Sequence, residues 1–386
     1  MKFQNVVKKI SKTTAYLAIV LAMSFGAFEI LLLFVSYTPK INMFGYSLHF
    51  DKDILFKIGP LCRTDINDMG YRGAQFDPAK TESARRVLFL GDSFVMGHNV
   101  APGETIAAAL GKASDGDIEV FNMGVLAYGP DQSLAQLMED GMDLNPDIVV
   151  LGIFPANDFQ DIDRNRLYSL DGGGRLARNP NNAVTDALPR LRTLFLLNRL
   201  QYFLQPIIDK EHKFLSRKHE YLLHNLFGDY YDFGLLYDPD SEESKRKIDL
   251  MKGILLQFKR ELTSKDISFA VVIIPSYPNI VRESSFLTID IDRIQFDRLM
   301  EIEEGFFGPE KITRELCEDL DIPYLNLYPE FLRFGQEERA LLYEEWEWHL
   351  TPFGNQIAGD LVASVLVGPL LPEFSSRPGS ALRPGL

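Results

Sequence analysis

Arg86-Val87-Leu88-Phe89-Leu90-Gly91-Asp92-Ser93 is the stretch on which the fold turns. Val87 to Leu90 is a short continuous apolar run closed by a glycine, the pattern of a strand buried on both faces in a parallel sheet. Four similar runs lie downstream, at 118–121, 147–154, 269–275 and 323–328. Helical patterns fill the intervals at 104–112, 131–142, 245–264 and 309–320. A last helix is predicted after Thr351-Pro352, where threonine can cap and proline suits the first turn. Strands alternating with helices predict an α/β fold with a doubly wound parallel sheet. In such sheets the active site forms at the carboxyl ends of the strands.

Upstream of this core, residues 38–85 are mixed and turn-rich, without a long amphipathic helix, and are predicted to wrap the domain edge. Before them, Lys2, Lys8, Lys9 and Lys12 (residues 1–12) precede an apolar run over 13–37. At about 1.5 Å per residue a helix of this length can cross a bilayer. The lysines predict a cytoplasmic amino terminus and a domain on the far side of the membrane, periplasmic or extracellular. Glu29 is the single ionisable residue in the run and is expected near its outer interface. Cleavage at a small-x-small pair, Ala22/Ser24 or Ser24/Gly26, is the rival reading. The run continues beyond both pairs through Ile30 to Val35, which favours an uncleaved anchor. Downstream, 86–372 is predicted to be the main domain. Residues 160–244 form an insertion with helices near 191–205 and 210–227, and 373–386 a disordered tail.

The chemistry-bearing residues follow the strands. Gly91-Asp92-Ser93 sits where the first strand becomes a helix. Alone, such a tripeptide is an ordinary turn with a capping serine. Ala156-Asn157-Asp158 follows the third strand, and the Asn157 amide could donate to an oxyanion. Asn122 to Gly129 follows the second strand and can offer a backbone N–H to the same oxyanion. His349 comes just before the last helix. Serine, backbone donor, asparagine and histidine on one series of elements are what nucleophilic acyl transfer requires.

These four ordered blocks, across residues 86–366, resemble the SGNH hydrolase superfamily, the GDSL esterases and lipases. The resemblance implies a three-layer α/β/α, flavodoxin-like fold, with Ser93 as nucleophile and His349 as base. It implies an oxyanion hole from the Ser93 N–H, a second-block N–H and the Asn157 side chain. The anchor followed by Asn67-Asp68-Met69-Gly70-Tyr71-Arg72-Gly73 looks like a bacterial subgroup of exported SGNH proteins. There are departures. Ala127 stands where the family has an N–H-donating glycine; alanine reaches positive φ only at a cost, so Gly124 could contribute instead. Pro155 replaces the third-block glycine. Where the family has an aspartate before the histidine, this chain has Glu347, which can orient His349, with Glu344 and Glu345 as competitors. Asp92 and Asp158 hold loops in the family and receive no proton-transfer role. His98 falls past the turn and is expected at the surface or in support. Trp346 and Trp348 are expected to pack beneath the histidine loop rather than to stack on sugar.

Composition narrows the function further. The 386 residues are 46% hydrophobic and carry a formal charge of −14, which argues against nucleic acid as a partner. Two cysteines, Cys62 and Cys317, are too few for a disulfide scaffold, although a single bridge between them stays open outside the cytoplasm. No zinc-ligand spacing occurs, and no cofactor or metal is expected. The substrate expected is an acylated small molecule or carbohydrate. The same residues could pass the acyl group to water, or to a sugar hydroxyl as an O-acyltransferase of surface polysaccharide. A third reading is a non-catalytic binding protein tethered to the membrane.

Overall fold

The computed structural model describes residues 14, 16–28, 30, 40–43, 45–77, 85–114, 118–180, 235, 238–281, 308–344 and 349–366. The lead-in, mixed and turn-rich in sequence, holds a small antiparallel sheet, β1 (Lys40–Met43), β2 (Tyr46–Asp51) and β3 (Leu55–Ile58), in that order. The main body then runs β4 (Arg85–Leu90), α1 (Ser93–Met96), α2 (Ile106–Ala113), β5 (Ile118–Asn122), α3 (Pro130–Gln136), β6 (Ile148–Ile153) and α4 (Asp158–Asn165). A hairpin follows, β7 (Tyr168–Leu170) and β8 (Leu176–Arg178), inside the predicted insertion where no strand was expected. After it come α5 (Glu242–Thr263), β9 (Ser268–Ile273), α6 (Tyr277–Val281), α7 (Gly308–Asp319), β10 (Tyr324–Asn326), α8 (Leu327–Phe331), α9 (Gln336–Ala340) and α10 (Pro352–Leu366).

The five apolar runs pair in parallel in the order β10-β9-β6-β4-β5. Their side chains alternate between two cores, as the period of two requires. Leu88, Leu90, Val149 and Leu151 pack with Leu134, Phe159, Leu250, Ile254 and Phe258 on one face. Val87, Phe89, Ile148 and Val150 pack with Ile106, Leu110, Ala358 and Val362 on the other. Each such fully buried side chain contributes about 1.5–3 kcal/mol of transfer free energy. This is a three-layer α/β/α arrangement, and its strand order reverses between β4 and β6, where open α/β sheets form their ligand crevice.

Two close packings set the outer geometry. A Cβ on Gly359 of α10 would lie 2.3 Å from Ala109 Cβ and 2.9 Å from the Ile106 carbonyl of α2, so only glycine lets these helices meet there. At the amino end of β4, fully buried Arg86 bonds Glu119 (2.8 Å) and the carbonyls of Leu144 (2.6 Å) and Asp77 (2.8 Å). The lead-in docks through Tyr128 Oη to the Phe56 carbonyl (2.6 Å), Gln132 Nε2 to the Ile54 carbonyl (2.9 Å) and Tyr71 Oη to Asp140 (2.5 Å).

Several boundaries differ from the sequence expectation for local reasons. The fifth strand stops at Asn326, because its side-chain oxygen accepts the Tyr328 N–H (3.0 Å) and starts α8. The helix expected over 131–142 starts at Pro130 and passes after Gln136 into a wide turn at 137–141 and a tight one at 142–144. Cys62 and Cys317 are both free thiols, so the bridge left open by the sequence is not made. Burial pushes the Cys317 thiol up to about 12. Among the described residues no helix is long and apolar enough to cross a membrane. The predicted span over 13–37 is described only at 14, 16–28 and 30, which are helical. Glu29, the predicted helices at 191–205 and 210–227, and the tail lie outside the described residues.

Candidate active site

β4 delivers Ser93 to the carboxyl edge of the sheet as the first residue of α1, with the Asp92 carboxyl accepting the Phe94 N–H at 2.9 Å. Ser93 Oγ lies 2.8 Å from His349 Nε2, and the hydroxyl can donate to that nitrogen when it carries no proton. His349 is 6% exposed. Its carbonyl accepts the Glu344 N–H at 2.7 Å, and the Leu350 carbonyl accepts from the side-chain amides of Asn99 and Asn355, both at 3.0 Å. The imidazole packs against Phe94 (centroids 4.6 Å) and meets the His98 ring edge to face (4.5 Å). Phe94 in turn stacks on Phe154 at 4.3 Å.

On the other side of Ser93 stand the loops after β5 and β6. Asn122 Nδ2 donates to the Val95 carbonyl at 2.9 Å, and its Oδ1 accepts the Gly124 N–H at 3.0 Å. The Gly124 N–H, one of two candidate oxyanion donors, is therefore committed within its own loop. Gly124 is needed for a different reason: a Cβ there would sit 2.3 Å from the Met96 backbone nitrogen. Ala127, the other candidate, takes φ 59° despite its side chain, and its N–H donates to no acceptor among the described residues. Asn157 sits at the head of α4 beyond β6. Its backbone N–H donates to the Phe154 carbonyl (3.3 Å), and its amide oxygen is buried without a hydrogen bond among the described residues.

Four buried carboxyls line this half: Asp92, Asp131, Asp158 and Asp161. Burial, reinforced by the charge of Asp161, raises Asp92 to about 7 against the bond from Phe94 N–H. Burial and then the Asp92 charge push Asp158 well above the carboxylate range, while its Oδ2 accepts the Phe154 N–H at 2.8 Å. Asp131 rises to about 7 through burial, although Asn165 Nδ2 donates to it at 3.0 Å. His98 moves the opposite way, to about 4, chiefly through burial and next through the nearby Arg72 charge. A neutral imidazole therefore faces His349.

The structure thus brings Ser93 and His349 together and sets Ala127, Gly124 and Asn157 on the ends of the two strands flanking β4. Glu347, with Glu345, Trp346 and Trp348, lies outside the described residues. Glu344 meets His349 through its backbone N–H. Asn99 and Asp131 carried no signal in the sequence, whereas Arg72 stood in a motif whose purpose the sequence did not state. Among the described residues no group of three His, Cys, Asp or Glu side chains is placed to hold a metal ion.

No protein-family model matches the sequence, and no curated protein does. Solved structures are similar at low identity. An acetyl xylan esterase is 12% identical, with TM-score 0.39, over 73% of this chain and 99% of its own. A lipase/acylhydrolase from Enterococcus faecalis is 11% identical, with TM-score 0.39, over 72% and 94%. A GDSL-like lipase from Bacteroides thetaiotaomicron is 11% identical, with TM-score 0.37, over 74% and 89%. The solved structures to which this chain is similar thus include GDSL lipases and acylhydrolases, while the reading of its site rests on the geometry above.

Proposed function

We propose that this protein is a serine ester hydrolase that works through an acyl-enzyme on Ser93. The observation that carries this reading is the 2.8 Å bond between Ser93 Oγ and His349 Nε2. His349 takes the serine proton as Oγ attacks the ester carbonyl carbon, and the Oγ–C bond forms. The carbonyl oxygen becomes an oxyanion, which the N–H groups of Ser93 and Ala127 and the Asn157 amide would receive. As the intermediate collapses, the bond to the leaving alkoxide breaks and His349 returns its proton to that oxygen. Water, deprotonated by His349, then attacks the acyl carbon; the Oγ–C bond breaks, His349 returns the proton to Ser93 Oγ, and the acid leaves. Glu347 would orient the imidazole.

The amino-terminal segment serves in this reading as a membrane anchor, with the hydrolase on the far side of the membrane. Its support is the apolar helix itself: Tyr16, Leu21 and Met23 are 68%, 69% and 71% exposed, leaving an uncovered apolar surface behind the lysines. Retention in the membrane pellet after an alkaline wash is the expected behaviour, and release by that wash would refute the anchor. The catalytic reading is tested by fluorophosphonate labelling of the full chain in detergent. Labelling is expected for the wild type and lost in Ser93→Ala. A folded wild type that neither labels nor cleaves short-chain esters would leave a binding protein on this fold. Faster product release with added sugar alcohols would turn the second half-reaction into acyl transfer.

A further inference from the structure

Residues 96–100 hold the underside of the His349 loop, and their own support comes from far upstream. His98 presents its ring to His349 and Asn99 holds the Leu350 carbonyl, while carbonyls on either side of this pair face the lead-in. There Arg72 is 3% exposed, with Nε on Asp65 at 2.9 Å. Its Nη1 donates to the carbonyls of Gly97 and, at 3.4 Å, Met96; its Nη2 donates to the Val100 carbonyl. These carbonyls lie at and just past the carboxyl end of α1, where a helix leaves its last acceptors without intrahelical partners; that of Gly97 also accepts the Val100 N–H at 3.1 Å. The motif that supplies Arg72 is itself a folded loop. Asn67 Oδ1 accepts the N–H groups of Met69 (3.0 Å) and Tyr71 (2.9 Å), and Asn67 Nδ2 donates to the Ala74 carbonyl (3.2 Å).

We propose that Arg72 is a positioning residue for the Ser93–His349 pair: it clamps the Gly97–Val100 turn, and through His98 and Asn99 that turn fixes the His349 imidazole against Ser93. This rests on the catalytic reading of that pair. The guanidinium suits the task because its planar fork of five donors can serve one carboxylate and several carbonyls at once. A lysine, with a compact ammonium, cannot span Asp65, Gly97 and Val100 together. The cost of a loosened clamp appears in the chemistry rather than in binding, because a displacement of about 1 Å in a reacting group can lower a rate about 100-fold.

The test uses the full chain as wild type, Arg72→Met, Arg72→Lys and Asn99→Ala, with Arg86→Met as a control at the opposite end of β4. Fluorophosphonate labelling rate, and kcat and KM on p-nitrophenyl acetate, are measured per folded molecule as scored by circular dichroism. Arg72→Met is expected to lower kcat and labelling about 100-fold with KM nearly unchanged. Arg72→Lys should recover part of that loss. Asn99→Ala should cost about fivefold, the worth of one hydrogen bond. Arg86→Met should lower the melting temperature and leave kcat in place. A labelling wild type whose Arg72→Met and Asn99→Ala forms keep its kcat overturns this proposal alone. A folded wild type that never labels overturns the catalytic reading and the proposal with it. Should Arg72→Met not fold, Asn99→Ala decides.

Discussion

On one flank of Ser93 the neighbouring groups come from the next strands of the same sheet; on the other they come from a loop 256 residues further along the chain. The flank proposed to receive the oxyanion is set by backbone register. The Met123 N–H bonds the Phe89 carbonyl (2.8 Å) and the Val125 N–H the Gly91 carbonyl (3.0 Å), so its loop continues the β4–β5 ladder. The histidine flank is set by side chains reaching across loops: Asn99, Asn355 and the rings of Phe94 and His98 packed on the imidazole. A flank made by register should keep its shape when side chains change, and lose function only where a donor or a charge is altered. A flank made by side-chain reach should fail through single bonds.

Removing the residue that both flanks share should have the largest effect. Ser93→Ala is expected to lower ester hydrolysis by about 10⁴-fold or more and to abolish covalent labelling, and His349→Ala should approach the same floor. Equal activity in the two variants and the wild type, in a steady-state ester assay, would end the comparison. On the oxyanion flank, Asn157→Ala should lower kcat about 10²–10³-fold with little change in KM, the usual loss for one oxyanion donor. An effect confined to KM would instead make Asn157 a substrate-binding residue.

Charge on the oxyanion flank gives the next effect. Asp131 is held near 7 in the fold, above the unfolded value of about 3.9, so the native state keeps a proton that the unfolded chain has lost between those values. Its contribution is fully present below about pH 4 and is lost as pH rises through about 7, at up to about 1.4 kcal/mol per pH unit. Asp131→Asn keeps an oxygen for the Asn165 amide and should flatten this slope. Urea melts of both proteins at pH 5, 6 and 7 measure it, and parallel curves would refute the buried charge as its cause. The smallest effect belongs to Ala127. Replacing an alanine at φ 59° with glycine should raise stability by about 0.5–1 kcal/mol, with activity within about twofold. A loss of stability would mean that the methyl group packs more than it strains.

What could be read from the sequence follows the same division. The three central strands, β4, β6 and β9, were legible because burial on both faces demands uninterrupted apolar runs, as in Val87–Leu90 and Ile148–Ile153. β2 was not, since one face is only half-buried and the strand ends on charged Asp51, with Lys52 and Asp53 directly after it. The β7–β8 hairpin has three residues per strand, too short for any period to register. Ser93, Asn157 and His349 were legible as residue types following strands or preceding a helix. Arg72 was visible in its motif, but its partners are backbone carbonyls about 25 residues away, which no side-chain pattern encodes. Positive φ is costly for Ala127, and the chain adopts it nonetheless. The bonds of Tyr128, N–H to the Val125 carbonyl (3.2 Å) and Oη to the Phe56 carbonyl (2.6 Å), pin the next residue and hold the turn regardless.

The seating of α10 on α2 at Gly359 has a consequence for the life of the chain on the ribosome. The helix begins three residues after His349, so the imidazole reaches Ser93 only when the last helix has found its groove. At about 5–20 residues per second, the 256 residues separating the pair take roughly 13–50 s to synthesise. Throughout that interval a nascent chain carries its serine at the end of β4 without the His349 imidazole that would take its proton.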